Sequence, residues 1–233
     1  MFDVFAEMQD KLLPLIISLL AAYLLGSINF AIIATKLFGK GDIRSHGSGN
    51  AGTTNVLRSA GFFPALITFL GDLLKASLAV FLAGVIFKVC GFENIDNCYV
   101  PASYLAGLFC ILGHMFPVFY GFKGGKGVMT TVGMYLVLDI RIFGILFVVF
   151  VTLLAITKIV SICSVVSAVT LPFSTFFIIY FFDFKGAEGY SQSLLVFNTV
   201  ISAFVAFMII FKHRENIKRI LKGEEKKLSM KKG

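Results

Sequence analysis

The sequence has few charged residues for its length. Only 15% of its 233 residues are charged, whereas 58% are hydrophobic, 27 are phenylalanine and the mean hydropathy is +0.89. This composition excludes an ordinary soluble globular protein, in which about a quarter of the residues are charged. Runs of about 20 apolar residues recur, and each is long enough to cross a hydrocarbon core of roughly 30 Å. The composition therefore predicts a polytopic membrane protein.

Cysteine is sparse and lacks the spacing of a metal site. Cys90, Cys98, Cys110 and Cys163 contain no C-x-x-C pair, so a metal or redox centre is disfavoured and we expect no metal and no cofactor. Cys90 and Cys98 flank one short loop. They would pair if that loop faced an oxidising compartment, but we favour free thiols.

The chain also lacks the features of a cleaved leader and of a repeat protein. Its first eleven residues carry three acids and one lysine, whereas a cleavable signal peptide begins with positive charge. We expect this segment to remain as the start of the first span. No repeat of about 20–50 residues and no low-complexity linker divide the sequence. We therefore expect a single membrane domain over residues 1–233.

The apolar runs predict an all-α fold. One of them is short, since it starts near Val128 and reaches Asp139 after 11 residues, about 17 Å of helix. Merging it with the next run would give six spans and would place Asp139 and Arg141 near mid-membrane, which is costly. Kept separate, it gives seven transmembrane helices: 12–35, 62–87, 100–120, 128–139, 142–157, 159–182 and 190–211.

Lysine and arginine predict the orientation, because loops rich in these residues remain cytoplasmic. Seven spans with the N-terminus outside place sixteen such residues inside and four outside, with Lys75 within a span. Six spans would export the tail and its nine positive charges. We therefore predict a cytoplasmic C-terminus. Three polar segments, 45–58, 122–130 and 213–227, then meet at the cytoplasmic face.

The first polar segment, SHGSGNAGTTNVLR at 45–58, has the composition of an anion-binding loop. Its glycines permit backbone conformations that present successive N–H groups to an anion, and arginine offers a planar fork for phosphate. TTNVLR is expected to begin a helix, whose N-terminus would favour an anion further. The alternative is an ordinary cytoplasmic loop. The candidate binding residues are Gly47, Ser48, Gly49, Asn50, Asn55 and Arg58.

The second segment, GHMFPVFYGFKGGKG, lacks the G-x-x-x-x-G-K-[ST] spacing of a P-loop. It still places Gly124 and Gly125 between Lys123 and Lys126, just before an expected helix start at Val128. Such a segment supplies positive charges and backbone donors for a second phosphate. The alternative is a pair of lysines that mark the membrane interface. His114, near the inner end of its span, is a further candidate for substrate binding.

The third segment begins at His213, directly after the last span. On a helix, His213 and Asn216 would share one face, and both are candidate site residues. The surrounding lysines suit a helix attracted to anionic lipid. Within the membrane, Asp72 and Lys75 lie three residues apart and are expected to form an ion pair.

Together the three segments resemble the signature segments of the bacterial acyl-phosphate:glycerol-3-phosphate acyltransferases, the PlsY family. The three segments occur in the same order and at similar spacing as in that family. They read GSGNAGTTNVLR, followed by serine and alanine, then GHMFPVFYGFKGGKGV and HRENIKRILKGEE. The seven-span arrangement extends the resemblance over nearly the whole chain. Thr53 and Met129 stand where the family usually has alanine.

The resemblance implies transfer of a fatty acyl group from acyl phosphate to the 1-hydroxyl of glycerol 3-phosphate, the first step of phospholipid synthesis. It implies that Ser48 and Arg58 bind phosphate oxygens and that Lys123 and Lys126 hold phosphate. His213, Asn216 and Lys126 become the catalytic candidates, with either His213 or the donor phosphate as base. The implied partners are glycerol 3-phosphate, acyl phosphate and membrane lipid, with the enzyme that supplies acyl phosphate as a further candidate and no nucleic acid. The implied location is the bacterial inner membrane.

Other functional classes fit the sequence less well. None of the three histidines is followed by aspartate five residues later, which excludes the H-x-x-x-x-D acyltransferases. The aspartate clusters of a CDP-alcohol phosphotransferase are also missing. A transporter for phosphorylated compounds would place polar groups near the midplane on related repeats. A scaffold for anionic lipid would leave the glycine-rich segments unexplained.

Overall fold

The structure is a computed structural model that describes residues 2–91, 100–185 and 190–228. Regular secondary structure in these ranges is helical, which confirms the all-α prediction. Short 3₁₀ turns lie at Ile43–Ser45 and Val118–Tyr120, and a π-helical turn at Ile179–Phe184. The α-helices are α1 Phe2–Ser27, α2 Phe30–Leu37, α3 Thr53–Ala60, α4 Phe62–Val89, α5 Val100–Met115, α6 Val128–Leu138, α7 Ile140–Thr157, α8 Val160–Ile178, α9 Gln192–Lys212 and α10 Arg214–Leu221.

Six helical segments within the described ranges are long and apolar enough to cross a membrane, and the shorter α6 is also apolar. The six segments are Lys11–Leu37, Phe62–Val89, Val100–Tyr120, Ile140–Thr157, Val160–Phe184 and Gln192–Lys212. Many of their large apolar side chains are exposed, as expected for surfaces that face lipid. Crossing by α6, which would make seven spans, and the orientation of the termini stay predictions. Cys98 lies outside the described residues.

The first apolar run, predicted as one span over 12–35, is divided between α1 and α2. The helix stops at Ser27 and restarts at Phe30, with the Asn29 side chain accepting a hydrogen bond from the Ile32 N–H at 3.1 Å. The ammonium of Lys75 on α4 donates to carbonyls at this break. A polar residue of the chain thus satisfies backbone groups that would otherwise be unpaired in lipid.

Asp139 separates α6 from α7, so the two apolar runs do not merge into one helix. Its backbone is extended, and its carboxylate accepts a hydrogen bond from the Arg141 N–H at 2.9 Å. Because of this N-cap, α7 begins at Ile140 rather than at the predicted residue 142. Arg141 also pairs with Asp183 at 2.7 Å. The predicted span 159–182 is α-helical only to Ile178, where the π-helical turn follows.

Glycine allows the spans to pack backbone against backbone. A Cβ on Gly26 of α1 would lie 2.1 Å from the Cys110 carbonyl oxygen of α5, and one on Gly113 would lie 2.2 Å from the Tyr23 carbonyl oxygen. Gly133 of α6 contacts the Leu73 backbone of α4 in the same way. Small residues at crossings are the usual means of close helix contact in membranes.

The three polar segments lie at one end of this helical bundle. The Lys212 ammonium, at the end of α9, donates to the Met115 carbonyl at the end of α5 with a distance of 3.0 Å. The Tyr23 hydroxyl of α1 donates to the Phe116 carbonyl at 2.8 Å. The segment before α6 and the start of α10 are therefore close to each other.

Candidate active site

The loop of the first polar segment is organised around the side chain of Asn55, which is buried in the first turn of α3. Its Oδ1 accepts a hydrogen bond from the Ser48 N–H at 2.9 Å, and its Nδ2 donates to the carbonyls of His46 and Asn50 at 2.9 and 3.0 Å. The expected helix start is confirmed at Thr53. Asn55 therefore shapes the loop from inside and leaves Ser48 exposed.

Two glycines of this loop have conformations that other residues resist. Gly47 and Gly49 have φ angles of +59° and +71°, in the left-handed region that glycine adopts without steric cost. A Cβ on Gly47 would also lie 2.2 Å from Asn55 Oδ1. The loop can close over the Asn55 amide only because position 47 has no side chain.

The first and second polar segments lie against each other, and the side chain of Arg44, just before the first segment, also contacts the second. Arg44 pairs with Asp42 at 2.8 Å, and its Nη1 donates to the Tyr120 carbonyl at 2.8 Å. At the glycine pair, a Cβ on Gly125 would lie 2.7 Å from the Ala51 carbonyl oxygen. Gly124 and Gly125 thus let the second segment lie directly against the first.

The second and third polar segments meet through Lys126 and Asn216. The Lys126 ammonium donates a hydrogen bond to Asn216 Oδ1. The Asn216 amide in turn donates to Glu225 Oε1 at 2.6 Å. The Ser161 hydroxyl donates to the same carboxylate, and Arg219 Nε donates to Oε2 at 2.7 Å. The ammonium and this network form the polar centre of the site.

The third polar segment also contacts the first. Arg58 Nη2 donates to the Lys226 carbonyl at 3.1 Å. Each of the three polar segments therefore contacts the other two. The structure brings together Arg58, Lys126 and Asn216, which are separated by up to 158 positions in the chain.

Burial lowers the pKa of two candidate site residues, Lys126 and His213. Burial lowers the pKa of Lys126 to about 8; Glu225 raises it, while Arg219 and Arg58 lower it. Burial and the Lys126 charge lower the pKa of His213 to about 4. His213 Nδ1 lies 2.8 Å from the Ile209 carbonyl. Since the carbonyl only accepts, Nδ1 carries the proton and Nε2 is an acceptor.

The remaining candidates occupy different surroundings. Lys123 is exposed, and its carbonyl oxygen lies 3.5 Å from Arg44 Nη1. His114 is buried beside the ion pair that Asp72 and Lys75 were predicted to form, which is confirmed by a separation of 2.8 Å. A role in substrate binding stays a prediction for every candidate residue.

Sequence reasoning missed three members of the polar centre, Ser161, Arg219 and Glu225. Ser161 is a lone hydroxyl at the start of an apolar span, which carries no signal in the sequence. Glu225 lies in a lysine-rich tail, where the sequence predicts that an acidic residue is simply another charge on the surface. A signal for Glu225 was present, since it closes the HRENIKRILKGEE segment.

The fold and this site define a multi-pass membrane protein with a polar centre at one end, built on Lys126, Asn216 and Glu225. The family model for glycerol-3-phosphate acyltransferase matches residues 16–223. A glycerol-3-phosphate acyltransferase from Alkaliphilus metalliredigens is 37% identical over 214 residues, covering 91% of this chain and 95% of the relative. One from Francisella philomiragia is 40% identical over 210 residues, covering 90% and 91%.

Solved structures of PlsY (YgiH), an integral membrane glycerol 3-phosphate acyltransferase, share the fold. The glycerol 3-phosphate form has a TM-score of 0.74 and 31% sequence identity, covering 92% of this chain and 96% of that one. The lysophosphatidic acid form has a TM-score of 0.72. The chain belongs to the glycerol-3-phosphate acyltransferase (PlsY) family, as its three polar segments indicate.

Proposed function

We propose that this protein transfers a fatty acyl group from acyl phosphate to the 1-hydroxyl of glycerol 3-phosphate. The products are 1-acylglycerol 3-phosphate and inorganic phosphate, and the reaction is the first step of phospholipid biosynthesis. The observation that carries this proposal is the convergence of Arg58, Lys126 and Asn216 at one end of the bundle. Family membership supports acyl transfer, and the solved relatives carry glycerol 3-phosphate and lysophosphatidic acid in their names.

The site suits a reaction in which both substrates carry phosphate. The loop 45–58 provides backbone N–H groups and the Arg58 guanidinium, and the segment 123–126 provides two lysines and two glycines. Phosphate binds well to such groups because charge-assisted hydrogen bonds are strong. Together the two segments could hold both phosphates and bring the hydroxyl of one substrate to the carbonyl carbon of the other.

The chemical step needs positioning more than activation. The 1-hydroxyl oxygen of glycerol 3-phosphate forms a bond to the acyl carbon, and the bond from that carbon to the phosphate oxygen breaks. The hydroxyl proton leaves with inorganic phosphate. Because acyl phosphate is already activated, orientation and stabilisation of developing negative charge supply the rate enhancement. Lys126 is the cation in the polar centre that we assign to that charge.

Two groups are candidates for the base that takes the hydroxyl proton. His213 presents Nε2 as an acceptor, but its pKa of about 4 makes it a weak base. A phosphate group, with a second pKa of about 6, holds a proton better. We therefore assign the proton to the donor phosphate and assign His213 to orienting the hydroxyl through Nε2.

The membrane location that we propose is the bacterial inner membrane, with the site at the cytoplasmic face. The excess of lysine and arginine in the segments around the site supports this orientation. Acyl phosphate could then keep its tail in lipid while its phosphate reaches the polar segments at that face. An enzyme that supplies acyl phosphate would be a natural partner at this surface.

The test is phosphate release by the purified full-length protein in nanodiscs, with palmitoyl phosphate and glycerol 3-phosphate. We expect release to require both substrates and to fall sharply in Arg58→Ala, while palmitoyl-CoA gives no product. Lys40→Ala removes another exposed cation and is expected to keep activity. A folded wild type that releases no phosphate would overturn the proposal and would call for flux assays of transport. Activity with palmitoyl-CoA alone would overturn the choice of donor.

A further inference from the structure

A buried ionisable cluster lies beneath the two glycine-rich segments. Asp72 and Lys75 of α4 and His114 of α5 are 2%, 4% and 4% exposed. The Lys75 ammonium lies 2.8 Å from Asp72 Oδ1 and 3.1 Å from His114 Nδ1. It also lies 3.0 Å from the Gly26 carbonyl and 2.8 Å from the Ile28 carbonyl, at the break in the first span. The mechanism proposed above assigns no role to this cluster.

The contacts of Lys75 determine which nitrogen of His114 carries the proton. An ammonium has three N–H groups and no acceptor. The two carbonyls and His114 Nδ1 take all three, while Asp72 Oδ1 supplies the opposite charge without a well-aligned hydrogen bond. Asp72 Oδ1 also lies 3.4 Å from His114 Nδ1, beyond the usual range of about 2.7–3.2 Å for an N–H···O hydrogen bond, and has no hydrogen-bond partner among the described residues. His114 Nδ1 is therefore an acceptor from Lys75. In a neutral imidazole the hydrogen then resides on Nε2.

The Nε2 edge of His114 faces the place where the two glycine-rich segments touch. A Cβ on Gly125 would lie 2.1 Å from Nε2 and 2.7 Å from the Ala51 carbonyl oxygen. The backbone of His114 contacts the same turn, because its carbonyl accepts a hydrogen bond from the Gly125 N–H at 3.1 Å. A Cβ on Gly124 would lie 2.0 Å from that carbonyl oxygen.

We propose that His114 is a positioning residue for the turn at Gly124 and Gly125, acting through its Nε2–H. Asp72 and Lys75 hold the ring in this tautomer and orientation. The same lysine holds the break between α1 and α2, so the cluster links that break to the phosphate-binding turn. His114 then supports phosphate binding by holding the turn in place, without contacting substrate itself. The kinetic test of this proposal rests on the acyl transfer proposed above.

The test compares His114→Gln with His114→Asn. The glutamine amide nitrogen reaches roughly the position of Nε2, whereas the asparagine amide reaches only that of Nδ1. We expect KM for glycerol 3-phosphate to rise about tenfold or more in His114→Asn, and to stay within about threefold of wild type in His114→Gln. We expect kcat to stay within about threefold of wild type in both variants.

Several outcomes would overturn the proposal. Equal losses in the two variants would mean that Nε2 has no special part. A fall in kcat with KM unchanged would mean that His114 acts on the reacting atoms. Tyr135→Phe is the matched control, because it removes a buried hydrogen bond of 2.7 Å to Ser202 away from both glycine-rich segments. We expect it to lower Tm and to leave KM unchanged.

Two measurements keep the test independent of turnover and of variant folding. Calorimetric titration of glycerol 3-phosphate should give the same ranking of wild type and variants, even if the acyl donor has been assigned wrongly. ¹⁵N NMR of the wild-type protein with labelled histidine can report the tautomer directly, since the chain has only three histidines. We expect the hydrogen on Nε2 of His114. A hydrogen on Nδ1 would overturn the proposal whatever the kinetics show.

Discussion

Lys126 and Lys123 belong to the same short segment but have different surroundings. Lys126 is partly buried and donates to Asn216, whereas Lys123 is exposed. A cation removed from water interacts more strongly with a bound phosphate, because the local dielectric is lower. The sequence predicts both lysines as phosphate ligands of equal standing, and the structure distinguishes them.

We therefore predict unequal effects of replacing the two lysines by methionine, which has a similar length. Lys126→Met should lower kcat/KM by about 10- to 100-fold, since a hydrogen bond to a charged group contributes about 1.5–3 kcal/mol. Lys123→Met should cost no more than about threefold, because exposed charges are screened. Steady-state kinetics of both variants measures the difference. Equal losses would contradict the importance of burial.

Glu225 should control the pH range over which Lys126 is charged. With a pKa of about 8, Lys126 loses its proton as pH rises through that value, so KM for glycerol 3-phosphate should rise there. Glu225 raises the pKa of Lys126, so Glu225→Gln should move this rise to lower pH. Glu224→Gln, at an exposed neighbouring acid, should leave the profile in place. The measurement is KM from about pH 6.5 to about pH 9.5, and an unmoved profile in Glu225→Gln would contradict the coupling.

The polar centre was only partly predictable because its members differ in how they appear in a sequence. Arg58, Lys126 and Asn216 lie in polar segments that interrupt apolar runs, so their placement at the membrane surface could be inferred. Ser161 could not, since its proximity to Glu225 depends on how α8 packs against the tail. The hydrogen-bond partners of Asn55 likewise follow from loop closure, which no local pattern specifies.

At the scale of the loop, Gly47 and Gly49 offer a matched pair of substitutions. Alanine at either position is strained by the positive φ, at a cost of about 1–2 kcal/mol. At Gly47 the new Cβ would also lie 2.2 Å from Asn55 Oδ1, whereas at Gly49 the closest atom, the Arg44 carbonyl oxygen, is 3.4 Å away. The two variants therefore separate backbone strain from disruption of the Asn55 network.

We predict that both alanine variants lower Tm, but that only Gly47→Ala raises KM for glycerol 3-phosphate, by about tenfold or more. Thermal denaturation and steady-state kinetics of the two proteins would check this. A larger KM effect for Gly49→Ala would mean that the loop binds its ligand through the backbone near residue 49 rather than through the arrangement that Asn55 imposes.

The spans themselves were the most predictable elements, because a run of apolar residues must be helical inside a bilayer. Their interruptions were less so. The break at Asn29 depends on Lys75 from another helix, and hydropathy alone does not reveal it. Asp139 was different: a charged residue between two apolar runs indicated that they should be separate, and its N-cap to α7 gives the physical reason.

For the whole molecule, the predicted orientation can be tested by labelling. Ser193→Cys near the start of α9 and Glu224→Cys in the tail are exposed positions that should lie on opposite sides of the membrane. The background should carry Cys90→Ser and Cys98→Ser, since Cys110 and Cys163 are buried. A membrane-impermeant maleimide added to intact cells should label only Ser193→Cys. Labelling of Glu224→Cys before lysis would contradict a cytoplasmic C-terminus.

The shortness of α6 has a consequence for the lipid around the protein. Its 11 residues rise about 17 Å, whereas the hydrocarbon core is roughly 30 Å thick. Leu136 and Val137 are exposed on this helix, and the charged pair Asp139 and Arg141 follows at its end. If α6 crosses the membrane as proposed, lipid headgroups must move toward that charged pair, so the bilayer is locally thinned around α6. Turnover should then be sensitive to membrane thickness, with short-chain lipids relieving the mismatch.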